Sequence, residues 1–115
     1  MPKRHNDLAV MGLKLLSKGD SKSGQKILAD VILERDDNLA MEVARLMTER
    51  IGPAEAADTI LESPFQPARY WCVQTLATAW EKDPAVQEKL RAATRSRFDD
   101  VRLNAAGVLA SQQDV

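Results

Sequence analysis

The sequence predicts an all-α protein, folded as a short α-solenoid (a superhelix) of about three and a half helix pairs, seven helices in all. The 115 residues include only 2 Trp, 1 Tyr and 2 Phe, with 44% hydrophobic and 29% charged residues. This composition favours helices over sheets. Helix-capping residues divide the chain into segments, and these segments recur about every 30 residues, as stacked helical repeats do.

The length and charge indicate one globular domain at residues 6–115, preceded by a flexible tail at residues 1–5. The net charge of −1 argues against a strongly basic nucleic-acid binder. No apolar run reaches the ~18 residues of a membrane span, so we expect no membrane partner. The single cysteine, Cys72, cannot form an internal disulfide and fits the reducing cytoplasm.

The first three predicted helices begin at polar caps. Asn6 or Asp7 caps a helix that runs to about residue 17, and Gly19 follows it as a C-terminal glycine. Asp20 or the next residue opens a second helix, which reaches residue 34 or 35. The polar run Asp36-Asp37-Asn38 caps a third helix, which ends near residue 51.

Proline in the first turn marks three of the remaining helices. Pro53 starts the fourth, which runs to about residue 62, and Pro67 starts the fifth, which runs to about residue 82. Pro84, directly after a capping aspartate, opens the sixth, which continues to about residue 96. The pair Asp99 and Asp100 caps the seventh, which extends to about residue 112.

The spacing of these helices indicates an internal repeat. The odd-numbered helices begin near residues 7, 38, 67 and 100, and the even-numbered helices near 21, 53 and 84. The intervals are 31, 29 and 33 residues for the first set and 32 and 31 for the second. Segments 8–16 and 39–47 align at an offset of 31, and segments 68–77 and 101–110 align at an offset of 33.

The last of these segments resembles a HEAT-like (PBS-lyase-type) repeat helix. Residues 99–110 contain an acidic turn, then Val-Arg, small residues and a Leu-Ala ending. Residues 67–77 are similar, whereas the first two helix pairs have Ala9 and Ala40 where Arg69 and Arg102 stand. The resemblance implies a stack of helix pairs that offers a surface to a partner. It also implies that Arg69 and Arg102 bond to neighbouring turns.

Equivalent positions of the repeat predict which side chains are buried. The position of Tyr70 is filled by Val10, Met41 and Leu103 in the other copies. Because all four residues are apolar, we expect Tyr70 in the core.

The next position indicates a surface. Trp71 is equivalent to Met11, Glu42 and Asn104, and two of these four residues are polar. The position therefore predicts a water-facing side, with Trp71, Glu42 and Asn104 as candidate partner-binding residues. The alternative is that Trp71 packs between neighbouring repeats.

A local basic cluster gives a second candidate surface. Arg91 and Arg95 share a helix face at i,i+4, and Arg97 follows in the next turn. The whole cluster consists of Lys89, Arg91, Arg95, Arg97 and Arg102. It could bind phosphates or an acidic partner. The alternative is a solvated face, neutralised in part by the aspartates at 99 and 100.

The residues needed for catalysis or for metal binding are missing. His5 is the only histidine. Cys72 shares a predicted core stripe with Leu76, Ala79 and Trp80, where a thiol is inert. The five glycines are scattered singly, and the paired aspartates cap helices. We therefore expect no catalytic residues, no metal site, no cofactor and no enzymatic activity.

The sequence therefore favours a non-enzymatic protein-protein interaction module, an adaptor or scaffold for a protein or peptide. One alternative is a nucleic-acid-binding repeat protein that uses the basic cluster. A small inhibitor or accessory protein is the other. The seventh helix is apolar around more than half its girth, so self-association through Val101, Val108 and Leu109 is also expected, unless the last residues of the chain cover them.

Overall fold

A computed structural model describes the backbone of residues 2–113 and the side chains of residues 5–112. Over these residues the protein is all-helical, as predicted, and it contains the seven expected helices. They are α1 (Pro2–Ser17), α2 (Ser21–Glu34), α3 (Asn38–Ile51), α4 (Pro53–Ile60), α5 (Gln66–Thr78), α6 (Pro84–Ala93) and α7 (Asp99–Gln113).

Helix α1 is longer than expected. It begins at Pro2, so residues 2–5, predicted as part of a tail, belong to the helix. Proline is well suited to a first turn. The imidazole of His5 lies between two polar side chains at the C-terminal end of α2, those of Glu34 and Arg35. Its Nε2 is 3.1 Å from Glu34 Oε1, and its Nδ1 is 3.0 Å from Arg35 Nη1. Met1 lies outside the described residues.

Side-chain caps are found at two of the predicted helix starts, those of α2 and α6. The carboxylates of Asp20 and Asp83 accept hydrogen bonds from the backbone N–H groups of Ser23 (3.4 Å) and Ala85 (2.9 Å). Asp37 precedes α3 without a side-chain cap hydrogen bond, and Asp99 and Asp100 lie inside the first turn of α7 and not before it. Gly52 joins α3 to α4 at φ +90°, a conformation that favours glycine.

Helices α4, α5 and α6 end earlier than predicted, at residues 60, 78 and 93. The Gln87 side chain donates a 2.8 Å hydrogen bond to the carbonyl of Trp80, in the turn that follows α5.

The helices contact one another in a regular order. Each helix contacts the next in the chain, α1, α3, α5 and α7 contact in succession, and so do α2, α4 and α6. We call these sets the odd row and the even row. Within the described residues, no helix contacts another that is more than two positions away. The molecule measures 47 × 27 × 17 Å, with a radius of gyration of 14.1 Å.

The core consists of aliphatic side chains from all seven helices. Its largest fully buried side chains are those of Leu28, Ile32, Met47, Ile60, Leu76 and Leu90. Helices α1 and α2 approach each other closely, since a Cβ on Gly24 would lie 2.8 Å from the Gly12 carbonyl oxygen. As predicted, Cys72 and Leu76 are buried, and Ala79 and Trp80 pack against the core.

The prediction that Tyr70 lies in the core is wrong. Tyr70 is 49% exposed, and the equivalent Val10 and Leu103 are 51% and 74% exposed. About half or more of each of these three side chains is therefore open to solvent. Trp71 is instead half-buried and packs against the core. None of the described helices combines the length and the apolar character that crossing a bilayer requires.

Candidate functional site

The candidate site is the exposed apolar side of the odd row. Val10, Met41, Tyr70 and Leu103 occupy equivalent positions on α1, α3, α5 and α7. Three of them are exposed, and Met41 is half-buried. We call these four residues the odd-row ridge. A soluble helix usually turns polar side chains outward, so this row of apolar ones is the candidate for an interaction surface.

The first half of this side, on α1 and α3, mixes apolar and charged residues. Met11 is exposed beside Val10, and a depression of 350 Å³ lies among the side chains of α1. The exposed charged residues on these two helices include Asp7, Lys14, Glu42, Arg45 and Glu49. Both signs are present, so this half can form ion pairs around an apolar centre.

The second half, on α5 and α7, has a different character. A groove of 390 Å³ lies between the two helices, and we call it the α5–α7 groove. Its lining consists of Gln74, Ala77, Leu103, Asn104, Gly107, Val108, Ser111 and Gln112, none of which is charged. Small residues form much of this lining, and Leu103 projects from it into solvent.

The predicted partner-binding residues of the Trp71 position have different surroundings. Glu42 is exposed on α3, Asn104 lines the α5–α7 groove, and Trp71 is half-buried against the core. All three side chains are at least partly open to solvent. Whether Trp71 binds a partner stays a prediction.

The basic cluster does not form one patch of free cations. Lys89 lies 2.5 Å from Asp58, Arg97 lies 3.1 Å from Glu62, and Arg102 is paired with Asp99. The other two, Arg91 and Arg95, are exposed, and the Arg91 guanidinium lies 5.8 Å from the centroid of the Trp80 ring. Three of the five cations therefore already have carboxylate partners, which offset part of the positive charge of the cluster.

A repeated turn explains the arginines of the repeat motif. In the turn before α5, the Phe65 N–H donates to Ser63 Oγ (3.0 Å), and Arg69 Nη1 donates to the Ser63 carbonyl (2.8 Å). The turn before α7 has the same bonds at an offset of 33 residues. The Phe98 N–H donates to Ser96 Oγ (3.1 Å), and Arg102 Nη1 donates to the Ser96 carbonyl (2.7 Å). Both arginines thus bond to neighbouring turns, as expected.

Arg69 also joins its turn to the next one. Its guanidinium carbon lies 3.9 Å from the centroid of the Phe98 ring, and its Nη2 lies 3.3 Å from Asp100 Oδ1. On the same ring, the Arg97 guanidinium lies 4.6 Å from the centroid. The Phe98 ring therefore contacts two cations, Arg69 from the first turn of α5 and Arg97 from the turn before α7.

The two remaining reactive side chains are poorly placed for chemistry. Burial raises the pKa of the Cys72 thiol to about 12, which suppresses the thiolate. His5 is bonded to Glu34 and Arg35 and lies far along the chain from Cys72. Within the part of the chain that the structure describes, no three His, Cys, Asp or Glu residues lie close enough to hold a metal ion.

Sequence reasoning missed both the α5–α7 groove and the repeated turn. The turn had a signal, because the offset of 33 also aligns Ser63 with Ser96 and Phe65 with Phe98. The groove had a weaker one, the run of uncharged residues from Leu103 onward. Comparison of the chain with protein-family models, curated proteins and solved structures finds no match.

Proposed function

We propose that this chain is a non-enzymatic protein-interaction module, a short α-solenoid of HEAT-like helix pairs that presents the odd-row ridge to a partner protein or peptide. The observation that carries the proposal is the ridge itself, with exposed apolar side chains at equivalent positions of successive helices. The proposed setting is the cytoplasm, where a reduced thiol such as Cys72 is common.

The order of helix contacts supports the solenoid part of the proposal. In a solenoid each unit contacts only its neighbours. The described helices contact partners no more than two positions away, and the turns before α5 and α7 repeat the same hydrogen bonds. The period of about 30 residues in the sequence agrees with this arrangement.

The distribution of exposed apolar side chains supports the binding part. Five large hydrophobic residues are exposed among the described residues, and four of them lie on the odd row. The fifth, Leu33, lies at the end of α2. Aromatic and aliphatic side chains ringed by polar ones are typical of the centre of a protein interface.

The nucleic-acid alternative has less support, because carboxylates already pair with Lys89, Arg97 and Arg102. A small inhibitor or accessory protein would bind its target through the same ridge and is a special case of the proposal.

Site-specific photo-crosslinking tests the proposed surface. A photoreactive phenylalanine analogue replaces Val10 on the ridge or Leu33 off it, positions with similar exposures of 51% and 45%. In native lysate we expect a discrete adduct from position 10 and none from position 33. The captured protein, once purified, should bind Val10→Glu at least tenfold more weakly than the wild type, and Leu33→Glu about as well. Equal crosslinking at both positions, or equal affinities of the two variants, contradicts the proposal.

A further inference from the structure

We infer that the α5–α7 groove is the contact surface of a homodimer. In this dimer, Leu103 of each copy is seated in the groove of the other, and the two α7 helices cross antiparallel near Gly107. The inference goes beyond the proposed function, because it concerns a second copy of this chain and rests on the uncharged half of the odd row.

The charge pattern favours a second copy over a charged partner. Charged residues make up 29% of the chain, yet none lines this groove. In a twofold-symmetric contact each surface meets its own copy, so every charge near the axis would face a like charge. An uncharged surface avoids that repulsion, whereas a charged partner would lose hydration there without gaining an ion pair.

The shape of the surface is complementary to itself. Leu103, at 74% exposure, is the most exposed large hydrophobic side chain of the described residues, and it stands at the edge of a groove of 390 Å³. A projection and a hollow thus lie on the same surface, as a symmetric dimer requires. No heavy atom lies within 4 Å of the position that a Cβ on Gly107 would occupy, so a second backbone can approach α7 closely there.

Helix periodicity gives the register of the contact. Leu103, Gly107 and Ser111 are spaced by four residues and share one stripe of α7. An antiparallel crossing centred on Gly107 places Leu103 of each copy opposite Ser111 of the other. Their small neighbours Ala77 and Gly107 leave room for the leucine side chain.

This register corrects the predicted self-association surface. Val101 is fully buried in the core of the monomer, and Val108 and Leu109 are half-buried against it. Val101 therefore cannot form an intermolecular contact in the folded chain. Leu103 and Gly107 take its place, because they occupy the opposite, exposed side of α7.

The available area predicts a weak dimer. Two helices of this length, packed about 10 Å apart, offer a face of roughly 20 by 20 Å, or about 400 Å² in projection. A stable complex buries about 800 Å² per partner. We therefore expect a dissociation constant in the range of about 10–100 µM.

Sedimentation equilibrium from about 10 to 500 µM, which brackets that range, tests the inference with matched variants. Gly107→Arg places a cation at the twofold axis. The control, Ala106→Arg, places the same cation on the adjacent exposed residue. Ala106 is equivalent to the buried Val73 and faces the end of the odd row, away from the proposed contact. We expect the wild type and Ala106→Arg to dimerise, and Gly107→Arg to remain monomeric. A monomeric wild type over this range, or loss of the dimer in Ala106→Arg alone, overturns the inference.

Disulfide trapping gives a second measurement that does not depend on the arginine variant. Cysteines at a twofold axis lie within the 7 Å between Cα atoms that a disulfide tolerates. Gly107→Cys should form a covalent dimer under mild oxidation, and Ala106→Cys should not, while the buried Cys72 stays unreactive. Equal trapping of both variants refutes the register. A monomeric protein that still crosslinks from position 10 would refute the dimer alone and leave the proposed function standing.

Discussion

Replacement of Arg69 by alanine should destabilise the protein more than the same change at the equivalent Arg102. Arg69 is buried and donates to the carbonyl of the fully buried Ser63. It also contacts Phe98, in the turn before α7, and Asp100, in the first turn of α7. Arg102 makes the equivalent bond within its turn, but its ion pair with Asp99 is exposed. Each variant loses the hydrogen bond from the arginine to a serine carbonyl in the turn before its helix. Arg69→Ala also loses the contacts with Phe98 and Asp100, which have no counterpart at Arg102 among the described residues.

The magnitudes follow from these contacts. A charged donor to a buried carbonyl contributes about 1.5–3 kcal/mol, and the cation–π contact with Phe98 adds about 1 kcal/mol in a partly buried site. The ion pair with Asp100 adds at most about 1 kcal/mol. We therefore expect Arg69→Ala to lower the free energy of unfolding by about 3–4 kcal/mol. For Arg102→Ala, where solvent can hydrate the freed groups, we expect about 1–1.5 kcal/mol.

Urea denaturation at neutral pH, followed by circular dichroism at 222 nm, measures both variants, and a double-mutant cycle of Arg69→Ala with Phe98→Ala isolates the contact between the turns. The expected coupling energy is about 1 kcal/mol. Equal destabilisation by the two arginine variants, together with a coupling near zero, would refute the idea that Arg69 holds successive units together.

Three further results are expected. Gly107→Ala should raise the melting temperature, because its Cβ meets open space and alanine is more favourable in a helix than glycine by about 1 kcal/mol. Gly24→Ala should lower the melting temperature, because its Cβ would clash with the backbone of α1. Thermal melts of the two variants test this. A hydrogen bond from Arg35 lowers the pKa of Asp37 in the folded protein. The Asp37 carboxylate therefore stabilises the fold at a pH above its unfolded pKa of about 3.9, and this contribution is lost as the pH falls through the lower folded pKa. The urea midpoint of Asp37→Asn, measured across this range, should not show that loss of stability. Burial raises the pKa of the Cys72 thiol to about 12, so labelling by a thiol reagent at pH ~8 should need unfolding, and rapid labelling of the folded protein would contradict its buried position.

The helices could be predicted from the sequence because the signals that begin and end them are local. Asp20, Gly52 and Pro84 act on residues within one turn of themselves, and the structure has helix boundaries at each. The extra turn of α1 could not be predicted, because His5 contacts Glu34 and Arg35, which are about 30 residues away in the chain. The turn after α5 likewise involves Gln87, from the next helix.

The alignment of repeats matched positions on α1, α3, α5 and α7 but did not predict which of them face water. A position that is apolar in every copy of a repeat can lie in the core, but it can equally lie on an exposed apolar surface. The sequence around Tyr70 therefore could not distinguish the two, and the arrangement of the rows decided it. For the basic cluster, the partners of Lys89 and Arg97 lie 31 and 35 residues earlier in the chain. Counting nearby charges could not identify them.

The short reach of the helix contacts has a consequence for how the chain folds. Since no described helix contacts another more than two positions away, each contact closes a short loop, and little chain entropy is lost before packing begins. Proteins with such local topology reach the native state quickly. The arginine contact between turns occurs only toward the C-terminal end, where Arg69 meets Phe98, whereas alanines stand at positions 9 and 40. We therefore expect loss of the Arg69 side chain to loosen α7 from α5 and to leave the packing among the first helices intact.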